Sequence, residues 1–335
     1  MENSSELRQD IVSGEWVTIA TARAKRPQDF LFAPKKRFDQ SKESCPFENP
    51  NEAILLDVQK ESAHATKQTG EWFVRVVKNK FPAFAEGECS VLYKDGIYTK
   101  MEGAGHHEVV VTRDHNRSIA DFTDEEAKLL MLAYKGRYLG LHTAPCVSYV
   151  FIFHNHGAES GATIAHPHSQ IMALPVVSPD VQRSLVGSEN YYRVNNRCVH
   201  CDVINFEIKS RVRVVHENEH ALVVCPYASK TAFEMRIFPK RHASEFHTMD
   251  DDEYAGIGIS LRTALQKLKR GLDDPSYNFF IHTAPTFDHT AYPHYHWHIE
   301  ILPKTAIWAG FEIGTGIEIS TIAPESAAAF LRDIE

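Results

Sequence analysis

The same order of motifs occurs twice along the 335-residue chain, and this repeat restricts the possible folds more than any other feature. Each half begins with a cysteine-bearing turn, followed by strands and by a histidine that lies just after an arginine. Residues typical of a helix N-terminus come next, and then a strand that opens with His-x-His. His115 and His166 are 51 residues apart, and His242 and His296 are 54 residues apart. A shared order at nearly constant spacing indicates duplication of one unit. We therefore predict an α+β fold of two antiparallel-sheet units with flanking helices, joined or packed through symmetry.

The two predicted units divide the chain close to residue 180. We place the first at residues 1–180 and the second at residues 190–335. Each contains one helix with a clear N-terminal signal. Thr123 and Glu126 form a capping box ahead of a helix of about 18 residues. The acidic run 250–253 opens the corresponding helix of the second unit.

Residues 151–177 contain the most unusual side-chain pattern in the chain. Two apolar strands flank a glycine-bearing loop, and the second strand opens with His-Pro-His-Ser-Gln at residues 166–170. Alternate residues of a strand point the same way, so we expect His166, His168 and Gln170 to share one face. Three adjacent polar groups in an apolar core would each need a partner, which favours a functional site over ordinary core packing.

Cysteines and histidines of the second half form a complete set of zinc ligands. A Cys2His2 set suits closed tetrahedral zinc. Its members are Cys198, Cys201, His242 and His296. The matching positions of the first half are Cys45, Glu48, His115 and His166. The alternative is a group of unconnected thiols and surface histidines.

Without an export signal, we expect the six cysteines to be thiols or metal ligands rather than disulfides.

Composition excludes several classes of function. The net charge of −8 gives no basic surface for nucleic acid. There is no run of about 18 apolar residues that could cross a membrane, and the N-terminal residues lack the apolar core of a signal peptide. We therefore predict a cytoplasmic protein without nucleic-acid or membrane partners.

Several of these motifs together resemble galactose-1-phosphate uridylyltransferase. That family, with the related ADP-glucose phosphorylase, forms the transferase branch of the histidine-triad superfamily. The resemblance extends from about residue 6 to residue 332 and rests on the segments 23–27, 45–48, 114–115, 166–170 and 310–312. It implies a duplicated histidine-triad (HIT-like) fold, a homodimer, and a ping-pong reaction through a nucleotidyl-histidine.

The resemblance also implies roles for individual residues. His168 corresponds to the nucleophile, and Gln170 to a donor for the phosphoryl oxygens. His166 corresponds to a zinc ligand. Positions that match phosphate or nucleotide contacts are Arg23, Arg26, Asn79, Asn155, Thr163 and Ser169. Glu312 matches a position that binds sugar hydroxyls. On their own, Arg23 and Arg26 are weak evidence for phosphate binding, because such a run of cations usually forms a solvated turn.

The second half has an altered version of the motif. Ile299 and Glu300 follow His298 where the first half has Ser-Gln, so we interpret this half as a structural copy without chemistry. Some family members bind iron through equivalents of His282, His296 and His298. That possibility competes with the Cys2His2 zinc set for His296, and the intact Cys-x-x-Cys favours zinc.

Three hypotheses for function follow. The first is a UDP-glucose–hexose-1-phosphate uridylyltransferase, with galactose 1-phosphate as acceptor, and we place it first. The second is an ADP-glucose phosphorylase or adenylyltransferase that uses inorganic phosphate. The third is a zinc-stabilised nucleotide-binding protein without turnover, which the intact His168 and Gln170 disfavour.

Overall fold

The computed structural model describes residues 5–20, 40–48, 50, 54–59, 72–89, 92–287 and 292–335. In chain order the strands are β1 (Glu6–Gln9), β2 (Trp16–Ile19), β3 (Ile54–Gln59), β4 (Trp72–Lys78), β5 (Tyr93–Asp95), β6 (Tyr98–Lys100), β7 (His106–Thr112), β8 (Tyr149–His156), β9 (His168–Leu174), β10 (Val214–Glu217), β11 (Ala221–Val224), β12 (Met235–Pro239), β13 (Tyr277–His282), β14 (His298–Pro303) and β15 (Glu318–Ser320). The helices are α1 (Asp124–His142), α2 (Pro179–Asn195), α3 (Val199–Ser210), α4 (Asp251–Gly271), α5 (Gly310–Thr315) and α6 (Pro324–Asp333).

Ten of these strands form one antiparallel sheet that contains both copies of the repeat. Its order is β10-β11-β12-β14-β13-β8-β9-β7-β4-β3. Each half contributes five strands, and β8 pairs with β13 at the junction, from Ile152 opposite Ile281 to His156 opposite Tyr277. The prediction of a duplicated α+β fold is confirmed, and the two sheets are joined edge to edge.

Helices α1 and α4 cover one face of this sheet. Their apolar side chains share a core with alternate residues of the strands, among them Ile152, Ile171, Ile281 and Ile299. The predicted capping box of α1 is present, because Glu126 accepts from the backbone N–H of Thr123. Helix α4 has one as well, in which Glu253 accepts from the backbone N–H of Asp250. The other strand residues, including His168 and Gln170, point to the opposite face.

Three details differ from the sequence-based expectations. Strand β9 begins at His168, so His166 precedes the strand and does not share its face. Helices α2 and α3 follow the first half and were not predicted, although Ser178 caps α2 and Pro179 occupies its first turn. Strand β2 pairs with β15, which connects the N-terminal segment to the second half.

The expectation that no cysteine forms a disulfide is wrong. Cys89 and Cys146 are bonded, with their Cα atoms 5.0 Å apart. The fold brings the loop after β4 against the turn after α1, a proximity that the separation of 57 residues in sequence concealed. Cys45, Cys198, Cys201 and Cys225 remain free thiols.

No helix in the described part of the chain is long and apolar enough to cross a membrane.

Candidate active site

His168 is held in the tautomer that a nucleophile requires. It opens β9 and is 8% exposed. Its Nδ1 donates to the backbone carbonyl of His166 at 2.8 Å, which leaves the lone pair on Nε2. Burial lowers the pKa of the imidazole, although the His166 carbonyl partly offsets that effect. His168 is therefore a neutral imidazole with one free nitrogen.

The Gln170 side chain lies on the same face of β9, and a hydrogen-bond chain fixes its orientation. The backbone N–H of Ala83 donates to Nδ1 of His107 at 3.1 Å. In the neutral ring, Nε2 of His107 must then carry the proton, and it donates to Oε1 of Gln170 at 2.7 Å. Burial lowers the pKa of His107 despite its bond to Gln170, which favours this neutral form. The NH2 group of Gln170 is thus left as a donor for a ligand.

Asn155 on β8 is oriented in a similar way. Asn278 of the neighbouring strand β13 donates through Nδ2 to the Asn155 Oδ1 at 2.7 Å and to the Ser160 carbonyl at 2.9 Å. Because the Asn155 oxygen is occupied as an acceptor, its NH2 group is the end available to an anion. The second half of the chain thereby orients a side chain of the first half.

Ser169 lies between His168 and Gln170 in sequence but faces the helices. Its hydroxyl is buried and hydrogen-bonded to Tyr134 at 2.6 Å and to Nδ1 of His154 at 2.9 Å. Alternation along β9 places this hydroxyl on the face away from His168. We therefore do not assign the Ser169 side chain to phosphate binding.

The structure brings the four predicted metal ligands of the first half together. One ligand atom from each of Cys45, His115 and His166 lies within 4.8 Å of the others. Oε1 of Glu48 is 3.0 Å from Nδ1 of His115 and 3.6 Å from Nδ1 of His166. Both rings bond backbone carbonyls through Nε2, those of Gln40 and Thr112, so that their Nδ1 atoms face the cluster.

The donor set fits a divalent transition metal such as zinc. Glu48 Oε1 and His115 Nδ1 are buried and have no hydrogen bond, as expected for atoms that would bind an ion. Backbone carbonyls on the remote ring nitrogens are the usual second-shell partners of metal-binding histidines. The geometry is therefore compatible with Glu48 in the place of a second cysteine.

The turn that supplies Cys45 and Glu48 also contacts His168. The Phe47 ring lies 4.9 Å from the His168 ring, centroid to centroid, and 6.1 Å from that of His166. An ion at this cluster would fix the turn, and the turn would fix the Phe47 ring against His168. No local sequence pattern predicts this contact, because Phe47 and His168 are distant in sequence.

The Cys2His2 set of the second half is also assembled. Cys198, Cys201, His242 and His296 offer ligand atoms within 4.8 Å of one another. The Nδ1 atoms of the two histidines lie 3.3 and 3.5 Å from the Cys201 sulfur. Their Nε2 atoms bond the carbonyls of Pro293 and Pro239, at 3.1 and 2.9 Å. This arrangement fits closed tetrahedral zinc.

The second copy of the histidine motif lacks a free nucleophile. His298 repeats the first-half geometry, since its Nδ1 bonds the His296 carbonyl at 3.1 Å. Its Nε2, however, lies 3.4 Å from a carboxylate oxygen of Glu300, which in turn is 3.0 Å from Nε of Arg236. A nitrogen that faces a carboxylate cannot approach a phosphate. Glu300 also groups with His282 and His298, whereas His296 faces the Cys2His2 cluster.

The remaining predicted residues have less defined environments. Arg23 and Arg26 lie outside the described residues. Thr163 is exposed in the loop between β8 and β9. Asn79 lies beside His107: its Oδ1 accepts from the Phe81 N–H, and its Nδ2 is 3.1 Å from Nε2 of His107, where two N–H groups face each other. Glu312 is on α5, where its carboxylate accepts from the Ala309 N–H.

Two residues that the sequence analysis overlooked help to build this site. His107 and Asn278 orient the two amides, and both act from strands that neighbour β9 or β8 in the sheet. Alternation along β7 could have placed His107 on one face. Its pairing with β9 is a long-range contact, and no local pattern predicted it.

Comparison with known proteins shows similarity over the whole chain. Residues 1–178 match the family model described as galactose-1-phosphate uridyl transferase, N-terminal domain. Over 339 residues the chain is 35% identical to ADP-glucose phosphorylase of Arabidopsis thaliana, which covers 100% of this chain and 94% of that protein. Over 347 residues it is 29% identical to galactose-1-phosphate uridylyltransferase of Thermotoga maritima, with 98% of each covered.

Solved structures give the same result. A crystal structure of an ADP-glucose phosphorylase from Arabidopsis thaliana with bound ADP-glucose has a TM-score of 0.81 at 32% identity, over 99% of this chain and 100% of that one. A structure of uridylyltransferase has a TM-score of 0.73 at 26% identity, over 98% and 97% of the two chains.

Proposed function

The chain belongs to the galactose-1-phosphate uridylyltransferase family of nucleotidyltransferases, and we propose that it transfers a nucleotidyl group through a covalent bond to His168. The main observation in support is the free Nε2 of His168, which the Nδ1 bond to the His166 carbonyl leaves as the nucleophilic atom. The substrates we propose are a nucleoside diphosphate glucose and a phosphate-bearing acceptor.

The reaction divides into two in-line displacements. First, the Nε2 lone pair of His168 attacks the α-phosphorus, a P–N bond forms, and the bond to the β-phosphate oxygen breaks. Glucose 1-phosphate departs with that electron pair. Then a phosphate oxygen of the acceptor attacks the same phosphorus, and the P–N bond breaks to regenerate the neutral imidazole. Neither step requires an external oxidant, reductant or net proton transfer.

Two oriented amides stabilise charge on the phosphoryl oxygens. The NH2 groups of Gln170 and Asn155 are the ends left unoccupied by their His107 and Asn278 partners. Donors that are already oriented need no reorganisation as negative charge develops in the transition state. Asn79 beside His107 is proposed as a nucleotide contact, and Arg23, Arg26 and Thr163 as further phosphate contacts, on the family resemblance alone. On the same basis we propose that Glu312 binds sugar hydroxyls.

We propose that zinc is the cofactor of both Cys/His clusters. In the first, Cys45, Glu48, His115 and His166 would hold it, and in the second Cys198, Cys201, His242 and His296. When bound, zinc would supply structural cross-links and no reacting group, because all four positions are taken by protein ligands. His166 ties the start of β9 to the first cluster, which positions His168 two residues later.

Adenine is the better-supported base of the donor. The sequence motifs alone favoured UDP-glucose. Sequence identity and TM-score, however, are both higher for the ADP-glucose phosphorylase of Arabidopsis thaliana than for the uridylyltransferase of Thermotoga maritima and the solved uridylyltransferase structure. We therefore propose ADP-glucose with inorganic phosphate as the first reaction to test. Uridylyl transfer from UDP-glucose to a hexose 1-phosphate is the second candidate, and the 29% identity over the whole chain supports it.

The remaining predictions are kept as part of the proposal. They are a functional division at residues 1–180 and 190–335, with the nucleophile in the first part, a homodimer, and a cytoplasmic location. The family resemblance and the composition support them.

Isotope exchange without acceptor tests the proposal. Labelled glucose 1-phosphate is incubated with the enzyme and unlabelled ADP-glucose, or with UDP-glucose. A covalent intermediate predicts that the label enters the nucleotide sugar, since the first displacement is reversible. His168→Ala should abolish this exchange, whereas His298→Gln, at the equivalent position of the second half, should retain it. No exchange with either donor would contradict the proposal and leave nucleotide binding without turnover.

A further inference from the structure

A third cluster of potential metal ligands lies apart from both Cys/His clusters. His142 is the last residue of α1, and Glu245 and His247 lie in the segment after β12. One ligand atom from each lies within 4.8 Å of the others. His142 and Glu245 are buried, whereas the His247 side chain is 19% exposed and gives the cluster a side open to solvent.

The ring geometry of this cluster is similar to that of the two Cys/His clusters. The His142 and His247 rings are 4.5 Å apart, centroid to centroid. The corresponding distances are 4.9 Å for His115 and His166 and 5.3 Å for His242 and His296. The Glu245 carboxylate lies 3.4 Å from Nε2 of His247. Two imidazoles and a carboxylate are a ligand set that zinc and neighbouring transition metals favour.

The internal repeat relates this cluster to a second contact between the two halves. The two halves are offset by 127 residues, from His115 to His242 and from Asp124 to Asp251. The positions equivalent to His142 and Thr248 are therefore Lys269 and Asp121. Those two residues form an ion pair, with Nζ 2.6 Å from a carboxylate oxygen. A lysine and an aspartate thus join the end of α4 to the turn before α1, whereas the end of α1 and the segment after β12 present two histidines and a buried glutamate.

We propose that His142, Glu245 and His247 form a third metal site, which binds a divalent transition-metal ion with water in the remaining position. The ion would join the end of α1, in the first half, to the segment after β12, in the second. The C-terminal end of α1 favours a cation, because the helix dipole is negative there.

Cobalt binding to the full-length protein tests this site. The as-purified protein is titrated with Co²⁺ and desalted, and the metal bound per chain is then measured by elemental mass spectrometry. Thiolate sites give intense sulfur-to-cobalt absorption in the near ultraviolet, whereas a His2Glu site gives only weak visible bands. We expect the wild-type protein to bind one equivalent of Co²⁺ that adds no sulfur-to-cobalt absorption. Glu245→Gln and His247→Ala should weaken that equivalent about tenfold or more.

Two control variants separate metal binding from folding. His220→Ala removes a histidine that also neighbours a glutamate, Glu219, and should bind cobalt as the wild type does. His142→Lys with Thr248→Asp reproduces the Asp121–Lys269 ion pair of the equivalent contact and should fold without binding the extra equivalent of cobalt. Cobalt should raise the melting temperature of the wild type and not that of this double variant. The proposal is overturned if the wild type takes up no thiolate-free equivalent, or if that equivalent persists in Glu245→Gln and His247→Ala.

Discussion

The backbone N–H of Ala83 controls the orientation of the Gln170 amide through one imidazole. It fixes the tautomer of His107, and His107 fixes Oε1 of Gln170 as the acceptor. His107 is thus a positioning residue, because it acts on the phosphoryl group only through Gln170. Asn278 has the same relation to Asn155. Sequence alone predicted His168 and Gln170 from the spacing of their motif, but these partners depend on pairing between distant strands.

We predict that His107→Leu lowers kcat about 10- to 100-fold, because Gln170 loses the bond that orients its amide. The decisive measurement is a double-mutant cycle with Gln170→Ala. If His107 acts through Gln170, the second substitution adds little to the first, and the two losses are strongly non-additive. Fully additive losses would show that His107 has a separate role and would contradict this interpretation.

At the scale of elements, local sequence patterns predicted some helices and clusters, whereas other elements had no such pattern. A capping box marked α1 and an acidic run marked α4, since each is built from residues close together in sequence. Helix α2 buries only Val181, Ser184 and Ser188, so its weak apolar stripe gave little periodic signal. The metal clusters were predicted because the repeat aligned their ligands. The disulfide and the Phe47 contact were missed because each joins segments that are distant in sequence.

The turn of residues 45–48 lies between the first Cys/His cluster and His168, and Phe47 is the side chain that contacts the His168 ring. We predict that Phe47→Ala slows formation of the nucleotidyl-enzyme about tenfold while bound zinc is unchanged, because His168 loses the ring beside it. Glu48→Ala should lower both zinc content and rate. Phe81→Ala, at an exposed position, should alter neither. An unchanged rate in Phe47→Ala would show that the contact has no influence on His168.

At the scale of the whole molecule, a buried charge network connects the N-terminal segment to the second half. Arg236 on β12 is 3.0 Å from a carboxylate oxygen of Asp10 and 3.0 Å from one of Glu300. Burial alone would raise the pKa of the Asp10 carboxyl, but Arg236 and the N–H groups of Ser13 and Val12 hold it below its ordinary value. The network occupies the face of the second half that corresponds to the active site of the first. The charged residues on this face therefore contribute to the packing of the second half.

We predict that Asp10→Asn lowers the free energy of unfolding by about 3 kcal/mol at pH 7, because it removes one member of a buried ion pair. The folded-state pKa of Asp10 is depressed, so its stabilisation is complete above the ordinary value of 3.8 and disappears as the pH falls through the lower folded-state value. Urea unfolding of both proteins at a series of pH values measures this difference. Asp57→Asn, which breaks a more exposed pair with Arg75, should cost less than about 1 kcal/mol. A difference for Asp10→Asn that stays constant at the most acidic pH would contradict the assignment.

The most direct test of the account is the intact mass of the protein after brief incubation with ADP-glucose, and separately with UDP-glucose, in the absence of acceptor. The account predicts one nucleotidyl group per chain, adenylyl with the favoured donor, absent from His168→Ala and present in His298→Gln. A uridylyl adduct instead would keep the covalent mechanism and establish the second candidate reaction. If neither donor leaves an adduct on a protein that still binds it, His168 is not the covalent nucleophile and the central claim is wrong.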